Sequence, residues 1–307
     1  MRYQYYICDV FTETRFSGNP LAVFPHAEGL NELHMQQIAR EFNFSETTFV
    51  LPPERGHTRR VRIFTPTKEI PFAGHPNVGT AFVLASIGEL GELGVFKHIT
   101  FEEDVGSVPI TIRNATGLAT GLPLWCELEA PKPLSLGVEI PLELIADALS
   151  VSVDDIATSV HKPQVASVGF PFVVVEVHDA AALAKASVYL PGFNVLDAES
   201  PTSDVHLYTH TKKGHSLDAD IHARMFSPLD GATEDPATGS ANGALAGLLT
   251  HYNASKNSPF SWRMMQGVTL KRPSYIDTRT EKEDGKVAGV WIGGNSVMVA
   301  EGTIEVD

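Results

Sequence analysis

The sequence predicts an α/β protein built from two similar halves, and three observations carry that reading. Arg62-Ile63-Phe64-Thr65-Pro66 and Arg224-Met225-Phe226-Ser227-Pro228 are two copies of Arg-x-Phe-(Ser/Thr)-Pro, each closing a strand-like run. Each copy precedes a small-residue loop: Ala73-Gly74-His75-Pro76-Asn77-Val78-Gly79-Thr80 in the first half, Glu234-Asp235-Pro236-Ala237-Thr238-Gly239-Ser240-Ala241-Asn242-Gly243 in the second. Each loop opens an apolar helix pattern, over residues 81–85 and 244–249. Two such strand–loop–helix units facing each other would point two helix starts into one cleft. The unpaired N–H groups and partial positive charge of a helix start suit a carboxylate or other anion. A single glycine loop more often only turns the chain; the repetition is what points to a site.

Composition sets the outer limits. At 307 residues the chain is long enough for two domains with substantial cores, and 43% hydrophobic with 20% charged residues is ordinary for a globular protein. A formal charge of −14 with no lysine or arginine run argues against a nucleic-acid groove or an anionic-membrane surface. Cys8 and Cys126 have neither metal nor redox spacing. The first residues lack a signal-peptide core and no apolar run reaches membrane-spanning length, so a cytoplasmic enzyme is expected.

In chain order, aromatic and β-branched residues predict a strand over 3–11, followed by the turn Ser17-Gly18-Asn19-Pro20 and a short strand over 21–24. Leu33, Met35, Ile38, Ala39 and Phe42 recur at helical spacing, predicting a helix over 31–42 capped by Asn31. Strands are expected over 43–51 and 57–64, a helix from Gly74 to near Gly88, then strands over 99–103, 108–112 and 125–128. Pro131-Lys132-Pro133, leading to Pro141, marks a linker. It divides the chain into domains 1–130 and 131–307, with the last strand free to cross to the first. The second half reads as a helix over 142–149, a short element over 153–160 and strand over 165–177, interrupted by Gly169-Phe170-Pro171-Phe172. A helix over 180–186 and strands over 204–210, 218–226, 261–270, 274–279, 286–292 and 296–304 complete it; stretches 194–203 and 255–258 read as peripheral.

Chemistry has to come from polar residues near the loops. Glu46 sits alone in an otherwise uncharged strand-like run over 42–53. If that strand is buried, its carboxyl is either paired or raised in pKa, and a carboxyl lifted toward neutrality takes and returns a proton. An edge or cap glutamate facing water is the competing reading. His75 and Asp235 lie in the two loops, where each could donate, accept, orient or simply cap. His206, His210, His215 and His222 cluster in one stretch, but alternate irregularly and have no carboxylate or cysteine at zinc spacing, which argues against a metal site. A Ser240–His75–Asp235 triad lacks the Gly-x-Ser-x-Gly elbow, and Ser240 is better suited to donate its hydroxyl at a helix start. There is no Walker loop and no dinucleotide fingerprint, and no residue argues for a cofactor.

Gly18-Asn19-Pro20, Asn43-Phe44-Ser45-Glu46-Thr47-Thr48-Phe49, Phe72-Ala73-Gly74-His75-Pro76 and the Glu234–Ala241 stretch closely resemble the phenazine-biosynthesis PhzF-like family. The resemblance continues through Gln266-Gly267, Arg272-Pro273-Ser274 and Gly293-Gly294, nearly the whole chain. It implies the diaminopimelate-epimerase-like fold: two similar domains, each a β-barrel-like sheet around a central helix, with the active site between them. It implies Glu46 as proton shuttle, with His75 and Asp235 facing it, and Ser45, Gly74, Gly239 and Ser240 holding a small anionic substrate. It also implies a cofactor-independent reaction and a homodimer. Related racemases use two cysteines, one per loop; neither loop here has one, which favours single-carboxyl, same-face proton relocation. The namesake reaction moves a proton of trans-2,3-dihydro-3-hydroxyanthranilate from C3 to C1. Where many members have glycine before Arg-Pro-Ser, this chain has Lys271. Two other classes stay open: a non-catalytic small-molecule or partner-binding protein on the same fold, and a hydrolase using Ser240, which a fluorophosphonate would label.

Overall fold

A computed structural model describes residues 1–114, 124–211, 219–229 and 232–307. Its contacts divide the chain into two units, Met1–Pro131 with Gly293–Asp307, and Lys132–Ile292.

The first unit consists of β1 (Arg2–Val10), β2 (Asn19–Phe24), α1 (Glu32–Phe42), β3 (Glu46–Leu51), β4 (Arg59–Phe64), β5 (Glu69–Ile70), α2 (Gly74–Ser86), β6 (Phe96–Glu103), β7 (Gly106–Asn114) and β8 (Leu124–Glu129). β1 pairs antiparallel with β2, β2 parallel with β3, and β3 antiparallel with β4. β4 then pairs parallel with β6, and β6, β7 and β8 follow antiparallel. The chain's last strand, Lys286–Glu305, pairs with both β8 and β1, so the succession of pairings closes on itself. Inside runs α2, buried at every residue from Gly74 to Ala85 and packed against β1, β2, β3, β7 and β8. A predominantly apolar helix buried on all sides leaves no face to water, and the enclosing strands cover it. Gly79 marks how close they come: a Cβ there would meet Leu21 Cδ2 and Val10 Cγ2, both at 2.6 Å.

α1 lies over a separate aromatic cluster. Met35, Ile38 and Ala39 pack with Phe24, Phe49 and Phe64, and Asn31 Oδ1 accepts the His34 N–H at 2.8 Å as the expected cap. Asn43 ends that helix in the left-handed region at φ 52°, so strand begins at Glu46 and not at residue 43.

The second unit repeats the plan with additions. It contains β9 (Ser135–Glu139), α3 (Leu142–Leu149), β10 (Ile156–Ala157), β11 (Gln164–Ser167), β12 (Pro171–Val177), α4 (Ala180–Lys185), α5 (Leu190–Glu199), β13 (Val205–His210) and β14 (Ile221–Ser227). β15 (Ala232–Asp235), α6 (Gly239–Tyr252), β16 (Ser258–Gln266), β17 (Ser274–Glu283) and β18 (Lys286–Glu305) follow. β11–β12 is antiparallel, β12–β13 parallel, β13–β14 antiparallel, β14–β16 parallel and β16–β17 antiparallel, the order and sense of β1 to β7. α6 takes the place of α2, buried from Gly239 to Thr250.

Four sequence expectations change. The proline-spaced linker contains β9, which pairs with β11. The stretch 194–203 is largely exposed, but its first six residues belong to α5, started by a proline in its first turn, which sinks Phe193 and Leu196 into the core with α3. The strands expected over 286–292 and 296–304 are one strand of 20 residues. The strand expected over 261–270 starts earlier and ends at Gln266, before the left-handed Gly267. Residue 218, at the edge of another expected strand, lies outside the described residues.

Candidate active site

Registers 21↔46 and 10↔19 put the first residues of β3 and β2 beside the start of α2. Gly74 and His75 open that helix. His75 is 3% exposed, and its Nδ1 lies 3.2 Å from Glu46 Oε2 and 3.3 Å from Asn19 Nδ2. Burial pushes the imidazole down to about 3, so the ring is neutral at physiological pH and the contact to Glu46 is a hydrogen bond rather than an ion pair. One proton satisfies it, held either on Glu46 Oε2 or on His75 Nδ1. His75 Nε2 is buried and has no hydrogen-bond partner among the described residues. Glu46 keeps its side chain 16% exposed, and Ser45 before it is half-buried. The sequence picks out Glu46 and His75; the structure brings them into contact.

In the second unit, Asp235 ends β15 opposite Met225 of β14 and is 8% exposed. Its Oδ2 accepts the Thr238 hydroxyl. Gln266 secures the loop from both sides: Nε2 donates to the Asp235 carbonyl at 2.8 Å, and Oε1 accepts the Thr238 N–H at 3.1 Å. Ser274 Oγ donates to the Pro236 carbonyl at 3.1 Å. Gly267 sits at φ 77°, where a Cβ would meet the carbonyls of Arg272 and Pro236 at 2.4 and 2.5 Å, so only glycine fits that close approach. Gly239 and Ser240 are the first residues of α6. The residues before α2 and α6, Ala73 and Thr238, give no side-chain cap, which leaves the first-turn N–H groups of both helices to other acceptors.

Each loop is also braced from its strand by an Arg–Glu pair. Arg62 Nε and Nη2 donate to Glu69 at 2.7 and 2.6 Å; Arg224 Nε and Nη2 donate to Glu234 at 2.9 and 2.7 Å. The arginine of Arg-x-Phe-(Ser/Thr)-Pro is therefore a strut for the loop that follows it, in both units.

Several candidates resolve otherwise. A triad would need an aspartate on His75 Nδ1, which faces Glu46 and Asn19 instead. His206 is fully buried with Nε2 3.2 Å from Asn242 Oδ1; His215 lies outside the described residues, among which no three His, Cys, Asp or Glu side chains group as metal ligands. Cys8 and Cys126 are fully buried on strands, and burial raises both thiols, Cys126 to about 12. Lys271 has φ 58°, the left-handed conformation that glycine adopts without strain. Sequence reasoning gives no role to Asn19 or Gln266, although both lie within the quoted motifs; Asn19 meets His75 across 56 residues.

A sheet wrapped on a buried helix, twice over, with a carboxyl–imidazole contact at the start of the first helix, defines a class. The chain belongs to the phenazine biosynthesis-like (PhzC-PhzF) protein family, whose model matches residues 8–302. It is an isomerase of that family. It is 36% identical over 303 residues to an uncharacterised isomerase of Mesorhizobium japonicum, covering 98% of each chain. With the trans-2,3-dihydro-3-hydroxyanthranilate isomerase of Pseudomonas aeruginosa it shares 33% identity over 302 residues, again 98% of each. The crystal structure of a Bacillus anthracis phenazine biosynthesis protein of the PhzF family matches it with a TM-score of 0.87 at 26% identity, covering 100% of both chains. No helix among the described residues is long and apolar enough to cross a membrane.

Proposed function

We propose that the chain relocates a proton within a small, cyclic or aromatic-like carboxylate, without a cofactor, using Glu46 as the acid/base group. The observation that carries this is the 3.2 Å contact between Glu46 Oε2 and His75 Nδ1, with both groups withdrawn from solvent. As carboxylate, Glu46 takes a proton from a substrate carbon; as acid, it returns the proton to another carbon on the same face. Neutral His75 holds Glu46 through Nδ1 and offers the buried Nε2 to the substrate. Asp235 is assigned to the same reaction, and Ser45, Gly74, Gly239 and Ser240 to substrate binding, where the uncapped helix starts favour an anion. The absence of cysteine from both loops and the raised thiols of Cys8 and Cys126 support one carboxyl over a thiol pair. A homodimer belongs to the same proposal and is checked by sedimentation equilibrium, with twice the monomer mass expected.

The test is proton NMR in heavy water with trans-2,3-dihydro-3-hydroxyanthranilate, the compound named for the Pseudomonas relative. Wild type should consume it or wash deuterium into it, and Glu46→Gln should be slower by about 10²–10⁴-fold. Equal rates in the two proteins would remove Glu46 from the chemistry. Binding without exchange by wild type would move the reaction to another carboxylate.

A further inference from the structure

The two units can be aligned residue by residue from their registers. Arg62 and Arg224 occupy the same place in β4 and β14, each holding its own loop glutamate. Three residues earlier, Arg59 pairs with Phe101 on β6, and Ile221 pairs with Met264 on β16. Counting two residues on in each strand sets Glu103 of the first unit against Gln266 of the second. The helix starts agree: Asn77 Nδ2 donates to the Ala73 carbonyl and Asn242 Nδ2 to the Thr238 carbonyl, each at 2.9 Å and each four residues back.

Gln266 uses both ends of its amide. Nε2 donates to the Asp235 carbonyl and the Thr238 hydroxyl at 2.8 and 3.1 Å; Oε1 accepts from the Thr238 N–H and Asn242 Nδ2 at 3.1 and 2.8 Å. The glutamate at the matching position faces the matching asparagine, Asn77. As a carboxylate it would have four acceptor sites and nothing to donate. Glu103 is 4% exposed, and neither of its oxygens has a hydrogen-bond partner in good geometry among the described residues, although Asn77 faces it. The charges around it give no cation to its carboxyl. Asp104 follows it in the chain and repels it, and Arg55 donates to its backbone carbonyl at 3.1 Å. Glu102 is turned to the loop N–H groups of Glu54, Arg55 and His57, and His75 on α2 is neutral.

We propose that Glu103 is a positioning residue for the loop that carries Gly74 and His75, and that it serves as an uncharged carboxylic acid, doing for the first unit what the amide of Gln266 does for the second. A protonated carboxyl has one donor and one strong acceptor, the same two-sided grip as a primary amide. Burial supports this, holding the group well above the usual glutamate range. The inference rests on His75 belonging to the site, but the protonation of Glu103 does not depend on any reaction.

The experiment compares wild type, Glu103→Gln and Glu103→Leu. The infrared difference spectrum of wild type minus Glu103→Gln at neutral pH should contain a protonated carboxylic-acid carbonyl band; loss of carboxylate bands alone would overturn the proposal. The folded chain holds this proton more tightly than the unfolded chain. The stability it contributes is therefore full below the ordinary glutamate range and lost as pH rises through the raised value. Unfolding midpoints of wild type should accordingly fall toward alkaline pH relative to Glu103→Gln. The nitrogen-15 resonances of His75 should be unchanged in Glu103→Gln and displaced in Glu103→Leu. Unchanged His75 signals in a folded Glu103→Leu would overturn the positioning role, and the infrared result would still decide the protonation. Failure of the proton-relocation reading would appear only in the substrate experiment and leave these three readouts intact.

Discussion

The ring of His75 is too deeply buried to hold a second proton and stays neutral. That neutrality makes His75 a hydrogen-bond partner of Glu46 and not a fixed cation. Its cost falls on stability in acid. His75 is pushed down to about 3 and His206 to about 4, both by burial. Groups with depressed folded values contribute stability above the ordinary histidine range and lose it as pH drops toward the folded values. Urea midpoints should therefore decline between pH 6.5 and 4, by about 3 kcal/mol for each ring at most, and His206→Gln should flatten the decline. At Lys271 the strain lies in the backbone: Lys271→Gly relaxes a left-handed residue and should raise stability by about 0.5–1 kcal/mol, measured by urea denaturation. A loss of stability there would mean that the lysine side chain makes a compensating contact.

At the scale of elements, the contact between Glu46 and His75 is a property of one buried helix and the strands that press on it. α2 has no solvent-facing side from Gly74 to Ala85 and starts without a side-chain cap at Ala73. Packing and a few buried hydrogen bonds, Asn77 to the Ala73 carbonyl and Thr80 to Thr48, therefore set its position. Gly79 is the tightest point of that packing, against Leu21 and Val10. Gly79→Ala should gain a little helix propensity and lose more to overpacking, a net cost of about 1–3 kcal/mol, with slower exchange at the site because Gly74 and His75 ride on the same helix. Equilibrium unfolding and the deuterium assay together read both effects. Arg224 is tied more firmly than Arg62, since its Nη1 also donates to the carbonyls of Leu183 and Ala186 at 2.9 and 2.7 Å. The second loop is thereby anchored to the C-terminal end of α4 as well as to its own strand.

At the scale of the whole molecule, the chain ends where its first unit began. β18 leaves the second unit at Ile292, and from Gly293 onward it lies between β8 and β1. Removing residues 293–307 would strip a partner from both of those strands and expose two long edges, each a template for pairing with another copy. Such a truncation should be recovered mainly as aggregate, read by size-exclusion chromatography. A monodisperse truncated protein with native circular dichroism would show that the first unit holds without its closing strand.

Repetition and periodicity were legible without coordinates. The two Arg-x-Phe-(Ser/Thr)-Pro copies mark β4 and β14, and helical spacing places α1, α2, α3 and α6 to within a few residues. Both follow from patterns a few residues long, where side-chain spacing reports directly on the face that will be buried. Tertiary structure decided what those patterns do not contain. Asn19 reaches His75 across 56 residues, Phe193 and Leu196 of an otherwise exposed α5 enter the core with α3, and one strand of 20 residues serves both units. Glu103 stands as an acid where its counterpart is an amide, and this emerges only when the two registers are laid together. The physical reason is the same each time: burial and partnership are fixed by which distant segments pair, and that choice is made by the packing of the whole sheet around its helix.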